Sequence, residues 1–270
     1  MKAMVKKSQA SIAFLYDRAE IESFLRKTPH LNIYNLGDLD DFFRERTLWL
    51  GLRRAGRLKS VALIYNGGEI PTLLVLCAGR SRARALELIR SGAGLLPKSF
   101  YAHLSPGLAG TLAETRKLTS HGAHYKMALA DKKRVLAADT SGTAVLSRRD
   151  LPALLKFYAR SYPGNWFEPR MLGTGLYYGI KERGVLAAVA GVHIYSEKYN
   201  VAALGNITTR PDLRGKGLGK RVTARVCREL LKKIGLIGLN VSAGNPAAIA
   251  CYRSLGFEIT DPYEEYFAGK

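Results

Sequence analysis

The sequence predicts an α/β protein of two domains with related architecture, over residues 1–135 and 143–270, each a central twisted mixed sheet flanked by helices. Three observations predict it. The chain has 270 residues, enough for one large domain or two smaller ones. The order helix, three strands, helix, strand, helix, strand occurs twice at a spacing of about 130 residues. In the second half, a stretch with three glycines and five cations, RPDLRGKGLGKR (210–221), stands between a strand and a long helix.

Taken in order, the first half opens with a helical pattern at 18–29. Strand-like runs follow at 47–53, 58–66 and 72–79, then a helix at 81–96, a strand at 99–105, a helix at 108–118 and a strand at 124–130. In the second half a helix at 148–162 leads to strands at 175–182, 185–196 and 201–209. A helix from Leu218 to Ile234, a strand at 237–243, a short helix at 245–255 and a strand near 263–268 complete it. Residues 130–144, ADKKRVLAADTSGTA, read as the junction. Within the long helix, Val222, Val226, Leu230 and Ile234 form one apolar stripe, and Gly235 reads as its stop.

Composition bounds the function. With 47% hydrophobic and 24% charged residues the chain is globular. Its apolar runs are too short to span a bilayer. The N-terminus lacks the apolar region and cleavage site of a leader. Three cysteines, Cys77, Cys227 and Cys251, suggest neither a disulfide framework nor a metal site. A cytoplasmic protein is expected. The net charge of +20 is spread evenly: 23 Lys/Arg against 12 Asp/Glu over 1–139, and 19 against 10 over 140–270. No basic block or basic-aromatic stripe marks a nucleic-acid surface, so nucleic acid is the lesser alternative. Such charge raises the local concentration of any anionic ligand.

The glycine loop is the strongest local signal. Pro211 stops the preceding strand, and the loop ends at a helix N-terminus, where unpaired amides and the helix dipole favour an anion. Gly215, Gly217 and Gly219 allow close backbone approach, with Arg214, Lys216, Lys220 and Arg221 adding charge. A P-loop spacing fails, and Lys220 occupies the third glycine position of a dinucleotide fingerprint. What fits is R-x-x-G-x-G at Arg214, Gly217 and Gly219. About 26 residues on, NPAAIACYRSLGFE presents Asn245 as an N-cap, Pro246 in the first turn and Gly256 as the stop.

The two motifs together resemble the GNAT acetyltransferase superfamily. There R/Q-x-x-G-x-G/A opens a helix, and N-x-x-A-x-x-x-Y-x-x-x-G-F follows a second strand. Asn245, Ala248, Tyr252, Gly256 and Phe257 fill the latter. The resemblance covers residues 143–268 well. The first half has the element order of a tandem GNAT-like domain, but CAGRSRARALE stands where the glycine loop belongs, so it reads as degenerate.

The resemblance implies an acetyl-CoA-dependent N-acetyltransferase acting on an amine of a small molecule, peptide or protein, with no metal. The alternative is a non-catalytic CoA-binding regulator. Amides of Arg214, Gly215, Lys216, Gly217, Leu218, Gly219 and Lys220 would hold the pyrophosphate. Backbone of Ile207, Thr208 and Thr209 would pair with the pantetheine arm where strands 201–209 and 237–243 part. An amide near Asn206 or Ile207 would face the thioester carbonyl, and Asn245 would touch the cofactor arm. Tyr252 matches the family's general acid, with a plain core role as the alternative. The base stays open. Asn206 stands where relatives often carry glutamate and would act only by holding a water. His193 has a suitable pKa range, and Glu168, Glu264 and Glu265 are further options. Trp166 and Phe167 are read either as an acceptor wall or as packing against the first half. Asp38, Asp40 and Asp41 are read either as attracting a cationic acceptor or as a solvated loop.

Overall fold

The expected alternation of helices and strands is present in the computed structural model, which describes residues 10–269. The basic stretch 1–9, read above for a leader, and Lys270 lie outside the described residues. In chain order the elements are β1 (Ala10–Phe14), α1 (Arg18–Leu25), α2 (Ile33–Gly37), β2 (Thr47–Arg54), β3 (Arg57–Tyr65), β4 (Thr72–Val75), α3 (Arg82–Gly92), β5 (Phe100–Leu104), α4 (Ala109–Ala113) and β6 (Lys117–Leu129). Then come α5 (Lys132–Ala137), β7 (Thr143–Val145), α6 (Leu151–Ser161), β8 (Tyr178–Glu182), β9 (Val185–Ser196), β10 (Val201–Thr209), α7 (Leu218–Leu230), β11 (Leu236–Ser242), α8 (Pro246–Ser254) and β12 (Phe257–Gly269).

The chain divides into two compact units. Among the described residues the first comprises 10–124 together with 262–269, and the second comprises 125–261. These bounds differ from the sequence expectation of 1–135 and 143–270, because the C-terminal strand returns to the first unit. In that unit strands run β1-β2-β3-β4-β5 and then the end of β12. Glu264 pairs with Leu104 and Ala268 with Phe100. Helix α3 buries Ala85, Leu88 and Ile89 with Leu73, Val75, Phe100 and Leu104 on one sheet face. The second unit orders its strands β6-β11-β10-β9-β8-β7, and α7 supplies Val222, Val226, Cys227 and Leu230 to its core. β9 and β10 are antiparallel, whereas β10 and β11 are parallel. The sheet is mixed, as expected.

Several local readings are corrected. The stretch 130–144, read as the junction, lies inside the second unit and carries a helix: Asp131 caps α5 by accepting from the Lys133 amide at 3.0 Å, and Val135 is fully buried. Polar residues dominate that helix because one face alone is covered. Helix α7 ends at Leu230, not Ile234. Gly235 serves another purpose, since its amide donates to Asn200 Oδ1 at 2.5 Å, and a Cβ there would come within 2.8 Å of Asn200 Nδ2. The helix read at 108–118 stops at Ala113, and β6 begins at Lys117. β1, α2 and β7, of three to five residues each, are too short for periodicity to mark.

Candidate functional site

The second unit's core fixes where β10 meets α7. Pairing of β10 with β11 ends at Leu204 opposite Leu239. On its other edge β10 still pairs with β9, Thr208 opposite Val189 and Thr209 opposite Ala188. One backbone edge of 205–209 is therefore open where the parallel strands part, as the sequence led us to expect.

A cleft of about 530 Å³ occupies this opening. From β10 it is lined by Ile207, Thr208 and Thr209, and from the loop by Arg214, Gly215 and Gly217. Leu218, Gly219 and Lys220 line it from α7, Tyr252 from α8 and Asn245 from the cap of α8. Eleven of the thirteen residues named from sequence thus surround one cleft. Lys216 is exposed and lies outside the lining. The motif residue Ala248 also lines it, and Leu213, Ala247 and Cys251 complete it without having been read from sequence. Ala247 and Cys251 sit in the gaps of the second motif, where their one signal was helical position beside Ala248 and Tyr252; Leu213 precedes Arg214, outside both motifs.

The loop geometry follows from its glycines. Gly215 and Gly217 have φ of +78° and +76°, and Gly217 is the residue before the first turn of α7. A left-handed residue with a side chain costs roughly 1–2 kcal/mol, so glycine sets the turn cheaply. Gly219 has no such φ; a Cβ there would lie 3.1 Å from Thr209 Oγ1, so its smallness keeps loop and strand close. Arg214 Nε donates to the Thr209 carbonyl at 3.4 Å, tying the loop to the strand end. Arg221 turns elsewhere and pairs with Asp139 at 3.1 Å. The charge facing the cleft comes from Arg214 and Lys220.

On α8, Asn245 Oδ1 accepts from the Ala248 amide at 3.1 Å, the cap expected from its motif. Gly256 has φ +90° and ends the helix; a Cβ there would overlap the Asp131 carbonyl. Tyr252 is 8% exposed. Burial raises its phenol above the ordinary tyrosine range, so it is fully protonated near neutrality. Burial also raises the Cys251 thiol, with Lys220 opposing.

Asn206 lies behind the cleft. It is 2% exposed, stands in a bulge of the β9–β10 pairing and has φ +55°. Its Nδ2 donates to Tyr177 Oη at 2.9 Å, and Asn165 Nδ2 donates to its Oδ1 at 3.5 Å. Its carbonyl accepts from Tyr158 Oη at 2.9 Å. Strain of about 1 kcal/mol is outweighed by hydrogen bonds contributing about 1 kcal/mol each. Asparagine also tolerates the left-handed region better than most residues. The two phenols around it are pushed up by burial and act only as hydrogen-bonding groups.

Segment 162–175 covers this side. Phe167 packs against Tyr158 and Tyr177 with ring centroids 5.3 and 5.6 Å away, and Trp166 meets His193 at 5.2 Å. Both aromatics pack on the second unit's core. Of the other base options, Glu168 is paired with Arg170 at 2.6 Å. Glu265 sits in the first unit, accepting from Tyr263 Oη at 2.8 Å near His103 and His124, and Glu264 accepts there from Tyr266 Oη at 3.2 Å.

Comparison with known proteins agrees with this geometry. The model of the Acetyltransferase (GNAT) family matches residues 146–257. The ribosomal protein bS18-alanine N-acetyltransferase of Escherichia coli K12 is 31% identical over 127 residues, 45% of this chain and 84% of that one. A GNAT-family acetyltransferase from Colwellia psychrerythraea superposes with a TM-score of 0.57 at 14% identity, covering 96% of this chain and all of that one. A tandem GNAT protein from the clavulanic acid biosynthesis pathway gives 0.58 at 17% identity, covering 96% and 98%. The last two speak to the fold alone.

Proposed function

Because the chain belongs to the GNAT acetyltransferase family and is an acetyl-CoA-dependent N-acetyltransferase, we propose that the β10–α7–α8 cleft holds its acetyl-CoA and that its acceptor is the α-amine at a protein N-terminus. The observation that carries the first part is the cleft itself. Two left-handed glycines turn the chain so that the first amides of α7 open on a cavity bordered by the unpaired edge of β10. The residues fit the group. Amides from Arg214 to Lys220 would hold the pyrophosphate, and the backbone of Ile207, Thr208 and Thr209 would pair with the pantetheine arm as an added strand does.

The bound thioester supplies the acetyl group; the chain's residues position it and move protons. Tyr252 lines the cleft and is the proposed donor to the departing thiolate. A free phenol and a free thiol differ by about 1.5 pKa units, or about 2 kcal/mol against transfer, and burial widens the gap. Donation therefore accompanies C–S cleavage and does not precede it. The Asn206 side chain bonds to Tyr177, Asn165 and the His193 ring, so we propose that it shapes the bulge and fixes its neighbours but does not itself relay a proton.

The acceptor assignment is supported by the bacterial relative, which acts on a ribosomal protein's alanine. Three free cysteines accord with a reducing, cytoplasmic setting. Among the described residues no helix is long and apolar enough to cross a membrane. The test is acetylation of a lysine-containing peptide that begins with alanine. Product on the α-amine supports the acceptor class; product on lysine alone, or on small amines alone, contradicts it.

A further inference from the structure

β10 reads VAALGNITT from Val201 to Thr209 and offers no carboxylate to deprotonate an attacking amine. The wall beside it does hold a proton acceptor. The His193 ring, from β9, lies against the backbone of Gly205, where a Cβ would overlap it, so glycine at 205 makes the ring's place. Trp166 packs edge-on at 5.2 Å, and hydrogen bonds to the Asn206 side chain and the Trp166 backbone hold the imidazole. His193 is half-buried, and Gly205 is two residues before Ile207, the first strand residue lining the cleft. At a rise of about 3.3 Å per residue, that is roughly 7 Å, a span that two waters in a chain would bridge. The other titratable groups on this side are unsuited. Glu168 is paired with Arg170, and Tyr158 and Tyr177 are phenols raised by burial.

We propose that His193 is the general base of the transfer and that Asn206 is its positioning residue. The assignment rests on the cleft being the acetyl-CoA site. As the amine nitrogen bonds to the acetyl carbon and the C–S bond breaks, one N–H proton passes through bridging water to the imidazole. The Tyr252 phenol protonates the thiolate. The imidazolium then returns its proton to water, from which the phenolate is reprotonated. Burial lowers the His193 pKa, so the ring is neutral and able to accept a proton at pH 7.

The experiment compares wild type with His193→Gln, measuring the thermal shift with acetyl-CoA and kcat from pH 5.5 to 9.5 on the amine that the wild type acetylates best. Wild-type kcat should be level at neutral pH and fall on the acid side, below about 6.5. The variant should keep the acetyl-CoA shift and lose about 10²- to 10⁴-fold in kcat at pH 7. Its kcat should then climb with pH until the α-amine itself deprotonates near ~8. Asn206→Asp, placing a charge beside the ring, should move the acid limb to higher pH. Should glutamine unfold the wall, His193→Ala with added imidazole replaces it, and partial recovery of kcat is expected. A folded variant within about threefold of wild type, with the same pH profile, overturns the assignment. A wild type that gains no stability from acetyl-CoA overturns the cofactor site, and this proposal with it.

Discussion

Tyr252 and Asn206 occupy neighbouring ground yet differ in what they face. Tyr252 borders the cleft, so Tyr252→Phe should lower kcat by about 10²- to 10³-fold while leaving the acetyl-CoA thermal shift intact. Unchanged kcat would make the residue core packing. Tyr177, by contrast, donates to the Val192 carbonyl at 3.1 Å and accepts from Asn206. Tyr177→Phe should cost about 1–3 kcal/mol in urea unfolding, because Asn206 is left with an unmet buried donor. Acetyl-CoA affinity should stay within about threefold. Tyr252 was legible because it fills a motif at fixed spacing. The phenols around Asn206 were not, since their partners lie 29 and 48 positions away in the chain and only folding brings them together.

The elements show where periodicity succeeds and where it fails. β9 and β10 match their sequence bounds because each is a long apolar run ended by turn residues. The glycine loop was legible because left-handed φ at Gly215 and Gly217 demands a residue type that stands out in print. α5 was read as a junction because its charged residues hide a single buried Val135. What holds it is Arg228 of α7, which donates to the carbonyls of Val135, Leu136 and Ala138. Arg228→Ala should therefore lower stability by about 1–3 kcal/mol in urea unfolding. No change would mean that 130–144 behaves as a linker. At α8, Asn245→Ala removes the observed cap and should cost about 1 kcal/mol in the same assay.

For the whole molecule, the repeated element order gave two α/β units, yet it put the C-terminal strand with the second unit. Periodicity says that a strand exists and nothing about its partner; the register of Glu264 with Leu104 joins residues 160 apart. The first unit lacks the loop that makes the cleft. At the position matching the loop, Gly79–Ser81 forms a short 3₁₀ turn, and no glycine there has positive φ. We propose that this unit holds no acetyl-CoA, so Arg80→Glu should leave cofactor binding unchanged. The even charge of +20 raises the local concentration of any anionic ligand, a nucleotide cofactor included. Were nucleic acid the true ligand, affinity would fall steeply with salt, whatever stood at residue 217.

The most direct test of the cleft is the thermal shift with acetyl-CoA for wild type, Gly217→Glu and Arg80→Glu side by side. A ligand at 100 times its Kd stabilises by about 2.7 kcal/mol, enough to raise Tm by roughly 5 °C in a chain of this size. The account predicts that rise in wild type and Arg80→Glu, and none in Gly217→Glu, where a carboxylate meets the pyrophosphate. No rise in wild type, or an equal rise in Gly217→Glu, would contradict it.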